Sequence, residues 1–333
     1  MAGPLDGVRV LELPAIGPVP FLGMLLSDLG AEVIRIDRLS GASGLADALA
    51  GSPLGRVRRS IGLDLRKPGG AELALRIAET SDALIEGFRP VVAERLGIGP
   101  AAGPPVPPAN YVADFGGGAM FLATGLLAAL LHARATGEGQ VVDAAMTEGA
   151  SYLGSMTRTF VSRGGWTDER EANMLDGGAP NYRCYETADG KWLAVGPIEP
   201  QFWSALLKTL GLDEATTPTP YAPDDWDACK KVLGDTFRTK TRDEWAEIFT
   251  PLDACVAPVL TLAEALEHPH NVARGSFVDV AGATVAAPAP RFSATATTAA
   301  APSERDTDTA SVLAELGYDD AEVARLRQDG ALG

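Results

Sequence analysis

The residues best equipped for chemistry stand together at Asp114-Phe115-Gly116-Gly117-Gly118, a carboxylate set against three glycines where an apolar helical pattern begins. Glycines let a ligand approach the backbone, and the free N–H groups of a helix start favour negative charge, whether a carboxylate or an enolate oxygen. An aspartate placed there can exchange protons with a bound molecule or simply cap the helix, and its type alone leaves both open. A second carboxylate, Glu199, precedes Pro200 at another predicted helix start, where an exposed N-terminal acid is the structural alternative. Arg38, Arg66 and Arg89 each lie at or just beyond a predicted strand end. Guanidinium forks suit phosphates, and the alternative for each is a solvated surface arginine. The three histidines, His132, His268 and His270, show no metal-ligand spacing, with His132 inside a buried-looking helical pattern.

The elements that must position these groups alternate in type. Apolar runs at Val8–Leu13, Val33–Ile36, Ser60–Leu65 and Asp82–Ile85 read as strands, separated by helical patterns at Phe21–Leu29 and Gly70–Thr80. That alternation specifies an α/β fold with a parallel, Rossmann-like sheet whose ligands bind beyond the strands' carboxyl ends, where Arg35, Asp37 and Arg38 fall. No Gly-x-Gly-x-x-Gly follows the first strand, so no nicotinamide or flavin site is indicated. Phe115–Ala135 and Asp143–Phe160 read as long apolar helices, buried or facing a partner subunit, with Phe115 and Met120 as either ligand-pocket or core residues. From Tyr182 the pattern changes to a hairpin turned at Ala188-Asp189-Gly190, followed by short helices at Pro200–Leu210, Asp224–Phe237 and Thr241–Phe249. The expected organisation is a large α/β domain over 1–181, a smaller α+β domain over 182–285, and a return segment with terminal helices, Thr309–Leu316 and Asp320–Gln328, over 286–333.

Composition narrows the partners. A formal net charge of −16 over 333 residues argues against nucleic acid and against an anionic membrane surface, so any anionic ligand must be held by local arginines. Three cysteines, Cys184, Cys229 and Cys255, leave an odd thiol, which fits a reducing, cytoplasmic compartment. The first residues lack a basic stretch followed by an apolar one, and no unbroken run of 18 apolar residues occurs, so neither secretion nor membrane insertion is expected.

Six segments together carry a family resemblance: Leu5–Leu13, Leu29–Asp37, Ile85–Pro90, Asp114–Gly118, Gly137–Asp143 and Gly196–Phe202. The chain resembles the family III coenzyme A transferases and, within them, the α-methylacyl-CoA racemases. The resemblance implies an interlocked homodimer in which each active site lies between the large domain of one subunit and the small domain of the other. It implies a 2-methylacyl-CoA thioester as substrate, with no resident cofactor because CoA arrives as part of the substrate. The implied reaction is inversion beside a thioester carbonyl through an enolate, which needs acid/base groups on both faces of the carbon and stabilisation of the enolate oxygen. Asp114 matches the family's aspartate acid/base, and Glu199, in Ile198-Glu199-Pro200-Gln201, the glutamate that partners its histidine base. Arg38, Arg66 and Arg89 match positions at which relatives hold the CoA nucleotide and phosphates.

The departure is as specific as the matches. The racemases carry their histidine base in a Gly-His-Asp-x-Asn-Tyr motif, on a long segment between the equivalents of Gly97–Pro100 and Pro105–Pro108. That segment is absent here, and no histidine precedes Asp114. What stands between Gly97 and Asn110 is also too short for a strand and its crossover, so a sheet strand is expected to be missing. Three readings follow: a racemase weakened by loss of one base, a CoA transferase using Asp114 as nucleophile, or a non-catalytic acyl-CoA-binding protein.

Overall fold

The computed structural model describes residues 3–15, 18–39, 56–86, 111–297, 299–301 and 307–332. These fall into two compact units, one formed by the described parts of Met1–Arg95, Pro108–Leu153 and Pro269–Gly333, the other by Gly154–His268. The second unit thus opens earlier and closes earlier than the 182–285 limits read from the sequence.

In the first unit, β1 (Arg9–Glu12), β2 (Glu32–Arg38), β3 (Arg59–Leu63) and β4 (Ala83–Ile85) form a wholly parallel sheet in the order β3-β2-β1-β4. Alternation along the strands decides which helix covers which face. Val10 and Val33 point to α1 (Pro18–Asp28) and α3 (Met120–Thr136), packing with Val19, Leu22, Leu26, Ala123 and Leu126. Leu11, Ile34, Ile36, Ile61 and Leu63 point the other way, to α2 (Pro68–Glu79), α11 (Thr309–Glu315) and α12 (Asp320–Gln328). The result is a helix–sheet–helix sandwich of the expected α/β class. The chain's end closes the β3 edge: Asp64 N–H donates to the Ala331 carbonyl at 3.1 Å, and Leu63 bridges Leu332. Residues 87–110, where a further strand would be sought, lie outside the described residues.

Two helical expectations are corrected. The segment predicted as Phe115–Ala135 begins by Tyr111, as a π-helical stretch (Tyr111–Ala119) running straight into α3. At 26 residues, Tyr111–Thr136 is long and apolar enough in composition to span a bilayer. Here its buried Ala119, Ala123 and Leu126 pack on the sheet instead. His132 lies exposed on α3 rather than buried. The single helix expected over Asp143–Phe160 is two, α4 (Met146–Leu153) and α5 (Ser155–Ser162), broken where Gly154 takes φ −77°, ψ 5°. An antiparallel hairpin, β8 (Phe277–Val280) with β9 (Ala283–Ala286), completes this unit.

The second unit packs a three-stranded antiparallel sheet of β5 (Arg183–Glu186), β6 (Trp192–Val195) and β7 (Val256–Pro258) against α6 (Pro200–Leu210), α7 (Trp226–Phe237) and α8 (Arg242–Phe249). Tyr185, Leu193, Trp203, Leu206, Phe237 and Trp245 form its core. The short helix α9 (Leu262–Glu267) ends this unit, and α10 (Pro269–Arg274) belongs to the first.

Candidate active site

Asp114 stands in the first turn of the π-helical stretch, half-buried, and its carboxylate accepts no hydrogen bond among the described residues. It is therefore not the N-cap of α3, whose preceding residue is Ala119 and which has no side-chain cap. The carboxylate keeps its acceptor capacity near a helical N-terminus, where the first backbone N–H groups have no intrahelical partner. Long π-helical turns are rare and recur at functional sites.

The glycine run serves packing. Gly117, Gly118 and Ala119 are buried, and a Cβ added at Gly117 would stand 2.7 Å from the Ala150 backbone nitrogen. One at Gly118 would meet Met146 Cγ at 2.9 Å and Pro18 Cγ at 3.2 Å. From the other side, a Cβ at Gly149 would fall 1.8 Å from the Gly117 carbonyl oxygen. Backbone does approach Gly117 closely, as its type predicts, and it is the backbone of α4, whereas at Gly118 the close neighbours are side chains of α4 and α1. The ring of Phe115 stacks on Phe21 of α1, centroids 4.5 Å apart, with Tyr111 6.2 Å away on the same segment. Met120 is exposed, so of the two candidates for an acyl pocket only Phe115 is held by packing.

Glu199 is the N-cap residue of α6, in extended backbone (φ −80°, ψ 144°) ahead of Pro200, and its side chain caps nothing. Its carboxylate is exposed and takes no hydrogen bond among the described residues. Its charge reaches two neighbours. Desolvation, the negative charge of Asp253 and that of Glu199 raise the Cys255 thiol above its usual range. Desolvation, Glu214 and Glu199 do the same to the Tyr221 hydroxyl, which donates to the Ile198 carbonyl at 3.3 Å. Cys255 is exposed, in a left-handed backbone conformation (φ 50°), and its carbonyl accepts from Gly196 N–H at 2.9 Å. Neither neighbour was singled out by the sequence reading.

The arginines divide. Arg38 is exposed at the carboxyl end of β2. Arg35 and Asp37, beside it in sequence, are buried and spend their charges on each other through paired bonds of 3.0 and 2.9 Å, leaving Arg38 as the cation that end of β2 presents. Arg66 is exposed, gripped by Asp64 through Nε–Oδ1 and Nη2–Oδ2 contacts of 2.8 and 3.0 Å. The Arg66 hydrogen bonds hold the Asp64 carboxyl down at about 2. Arg89 lies outside the described residues. Among the described residues, no group of three His, Cys, Asp or Glu is placed to hold a metal.

A parallel α/β unit carrying a carboxylate on an irregular helix start, with a second unit whose helix opens on a free glutamate, describes a class rather than an activity. The chain belongs to CoA-transferase family III, whose family model matches residues 5–103 and 99–307. It is 38% identical over 374 residues to alpha-methylacyl-CoA racemase of Mus musculus, covering 98% of this chain and 96% of that protein. The Homo sapiens alpha-methylacyl-CoA racemase gives the same figures. A crystal structure of a CaiB/BaiF family protein from Brucella suis superposes with a TM-score of 0.77 at 21% identity, over 95% of this chain and 100% of that one. The racemase alignments run over more positions than the 333 residues of this chain, so those relatives hold residues that have no counterpart here. The family match comes in two stretches that overlap at 99–103.

Proposed function

We propose that this protein inverts the carbon beside the thioester carbonyl of a 2-methylacyl-CoA by removing and returning a proton through an enolate, with Asp114 as acid/base. The observation that carries the reading is the near full-length similarity to two alpha-methylacyl-CoA racemases, joined to an Asp114 carboxylate that the described structure leaves free to exchange a proton. Arg38 and Arg66 offer guanidinium groups to the CoA phosphates, and no resident cofactor is required. Three unpaired thiols fit a reducing, cytoplasmic setting. Exposed apolar side chains, Met120, Leu131, Val141 and Tyr152 on the first unit and Met156 and Val161 on the second, support burial against a second copy of the chain.

No histidine precedes Asp114 to pair with Glu199. A positioned general acid or base contributes roughly 10²- to 10⁴-fold, so inversion is slower than in histidine-bearing relatives by about that factor while one-face exchange persists. Incubating a 2-methylacyl-CoA with the protein in D₂O tests this: deuterium enters C2 faster than the enantiomers interconvert. The family's transferase chemistry supplies the second reading, because it needs a nucleophilic carboxylate and no histidine. CoA moving to an added carboxylate without exchange at C2 would establish it, and binding with neither outcome would leave a non-catalytic acyl-CoA carrier.

A further inference from the structure

The sandwich buries two charged residues that proton transfer does not use, Glu12 at the end of β1 and Arg58 just before β3, at 1% and 2% exposure. Arg58 Nη1 donates to Glu12 Oε1 at 2.7 Å, and Nη2 donates to the carbonyl of Pro20 in the first turn of α1. That turn is one of two supports of the Asp114 segment, the other being α4. Phe21 stacks on Phe115, and Pro18 closes over Gly118. Gly23, one turn further on, is pressed against the Glu12 carboxyl so closely that a Cβ there would stand 2.1 Å from Oε2. We infer that Glu12 is a positioning residue: by holding Arg58 it fixes the start of α1, and through that turn the segment that presents Asp114. The inference rests on the proposed role of Asp114.

The arrangement makes the hold depend on pH. Burial pushes the Glu12 carboxyl up to about 7 against the pull of Arg58 and Arg35, with Asp37 adding to the rise. Among the described residues, those are the charges that act on it. β2 supplies Arg35 and Asp37, paired with each other, and β4 sets only Ile85 opposite Glu12. α1 contributes Asp28, which is bound by Arg56 and acts on Arg58. Glu12 Oε2 has no hydrogen-bond partner among the described residues, so a proton placed there gains no acceptor. Because Arg58 lowers the Glu12 pKa, linkage requires that ionised Glu12 binds Arg58 more tightly than the neutral acid does. The grip on α1 therefore tightens as pH rises through about 7. Whole-molecule stability moves in the opposite sense, since burial disfavours the charged form.

The test is hydrogen–deuterium exchange of the intact protein between pH 6 and 8, corrected for the intrinsic pH dependence of amide exchange. Protection of Tyr111–Ala119 is expected to rise several-fold with pH in the native protein and to stay low and flat in Glu12→Gln. A flat native profile overturns the inference, and that measurement needs no variant to fold. Deuterium entry at C2 is the second readout, with Glu12→Gln expected to lower kcat about tenfold, leave KM unchanged and lose the change near pH 7. Equal kcat profiles in the two proteins also overturn it. If the native protein exchanges no C2 proton, the proposed function fails while the amide profile still decides whether Glu12 holds the segment.

Discussion

Replacing Gly149 by alanine is the sharpest perturbation the first unit offers. Its Cβ would fall 1.8 Å from the Gly117 carbonyl oxygen and close to the Gly117 Cα at 3.0 Å, both atoms of the helix that carries Asp114. An ordinary contact with such an atom lies near 3.4 Å, so α4 and the π-helical stretch must part by roughly 1.5 Å, and no side chain can swing aside to absorb it. Overpacking of this kind costs about 1–3 kcal/mol, and a backbone obstacle belongs at the upper end. At about 2 °C per kcal/mol, the low end of the range for large domains, the melting temperature should fall by roughly 5 °C. Displacing Asp114 by an ångström costs on the order of 10²-fold in rate. Differential scanning calorimetry and C2 deuterium exchange at saturating substrate measure the two effects. Gly139→Ala is the control, since a Cβ there meets nothing within 4 Å. A Gly149→Ala protein with unchanged melting temperature and exchange rate would refute the claim that the glycines exist for this helix contact.

Four further outcomes are expected. The Glu12 contribution to stability is present below its unfolded pKa near 4.5 and lost as pH rises to about 7; native protein should lose about 3 kcal/mol across that window relative to Glu12→Gln, read from urea midpoints, and parallel pH profiles would contradict it. Asp64→Asn frees the Arg66 guanidinium and should strengthen acyl-CoA binding by about two- to fivefold in calorimetry if Arg66 meets the phosphates, whereas Arg66→Ala weakens it. Thiol titration should modify Cys184 and Cys255 in the native protein and Cys229 only after unfolding, since burial pushes that thiol up to about 12. Glu199→Gln should speed labelling of Cys255 about twofold at pH 8 by removing a negative charge that raises its pKa; an unchanged rate would place the two apart.

The parallel sheet was legible because its strands are short apolar runs bounded by helix patterns, and each of the four appears within two residues of its expected limits. The glycine run was legible as a place of close approach but not in its purpose. A ligand and a neighbouring helix make the same demand on Cα, and the only pointer to the helix was the small pair Gly149-Ala150 thirty residues on. The break at Gly154 hid inside a continuous apolar pattern, because glycine marks a possible interruption rather than a certain one. The β8–β9 hairpin turns on Ala281 and Gly282, both at positive φ, and alanine gives little warning of that conformation. Of the candidate site, Asp114, Glu199 and the arginines were visible as charged residues at element ends. Glu12 and Arg58 were not, since a single acid in Val8–Leu13 reads as a flaw in a strand until the fold shows its buried partner.

The most direct test of the central claim is solvent deuterium entering C2 of a 2-methylacyl-CoA, followed by mass spectrometry, for the native protein and Asp114→Asn. Deuterium incorporation by the native protein that falls at least 10²-fold in the variant is the result this account predicts. Incorporation that survives the substitution, or a native protein that moves CoA to a carboxylate while leaving C2 unlabelled, would contradict it.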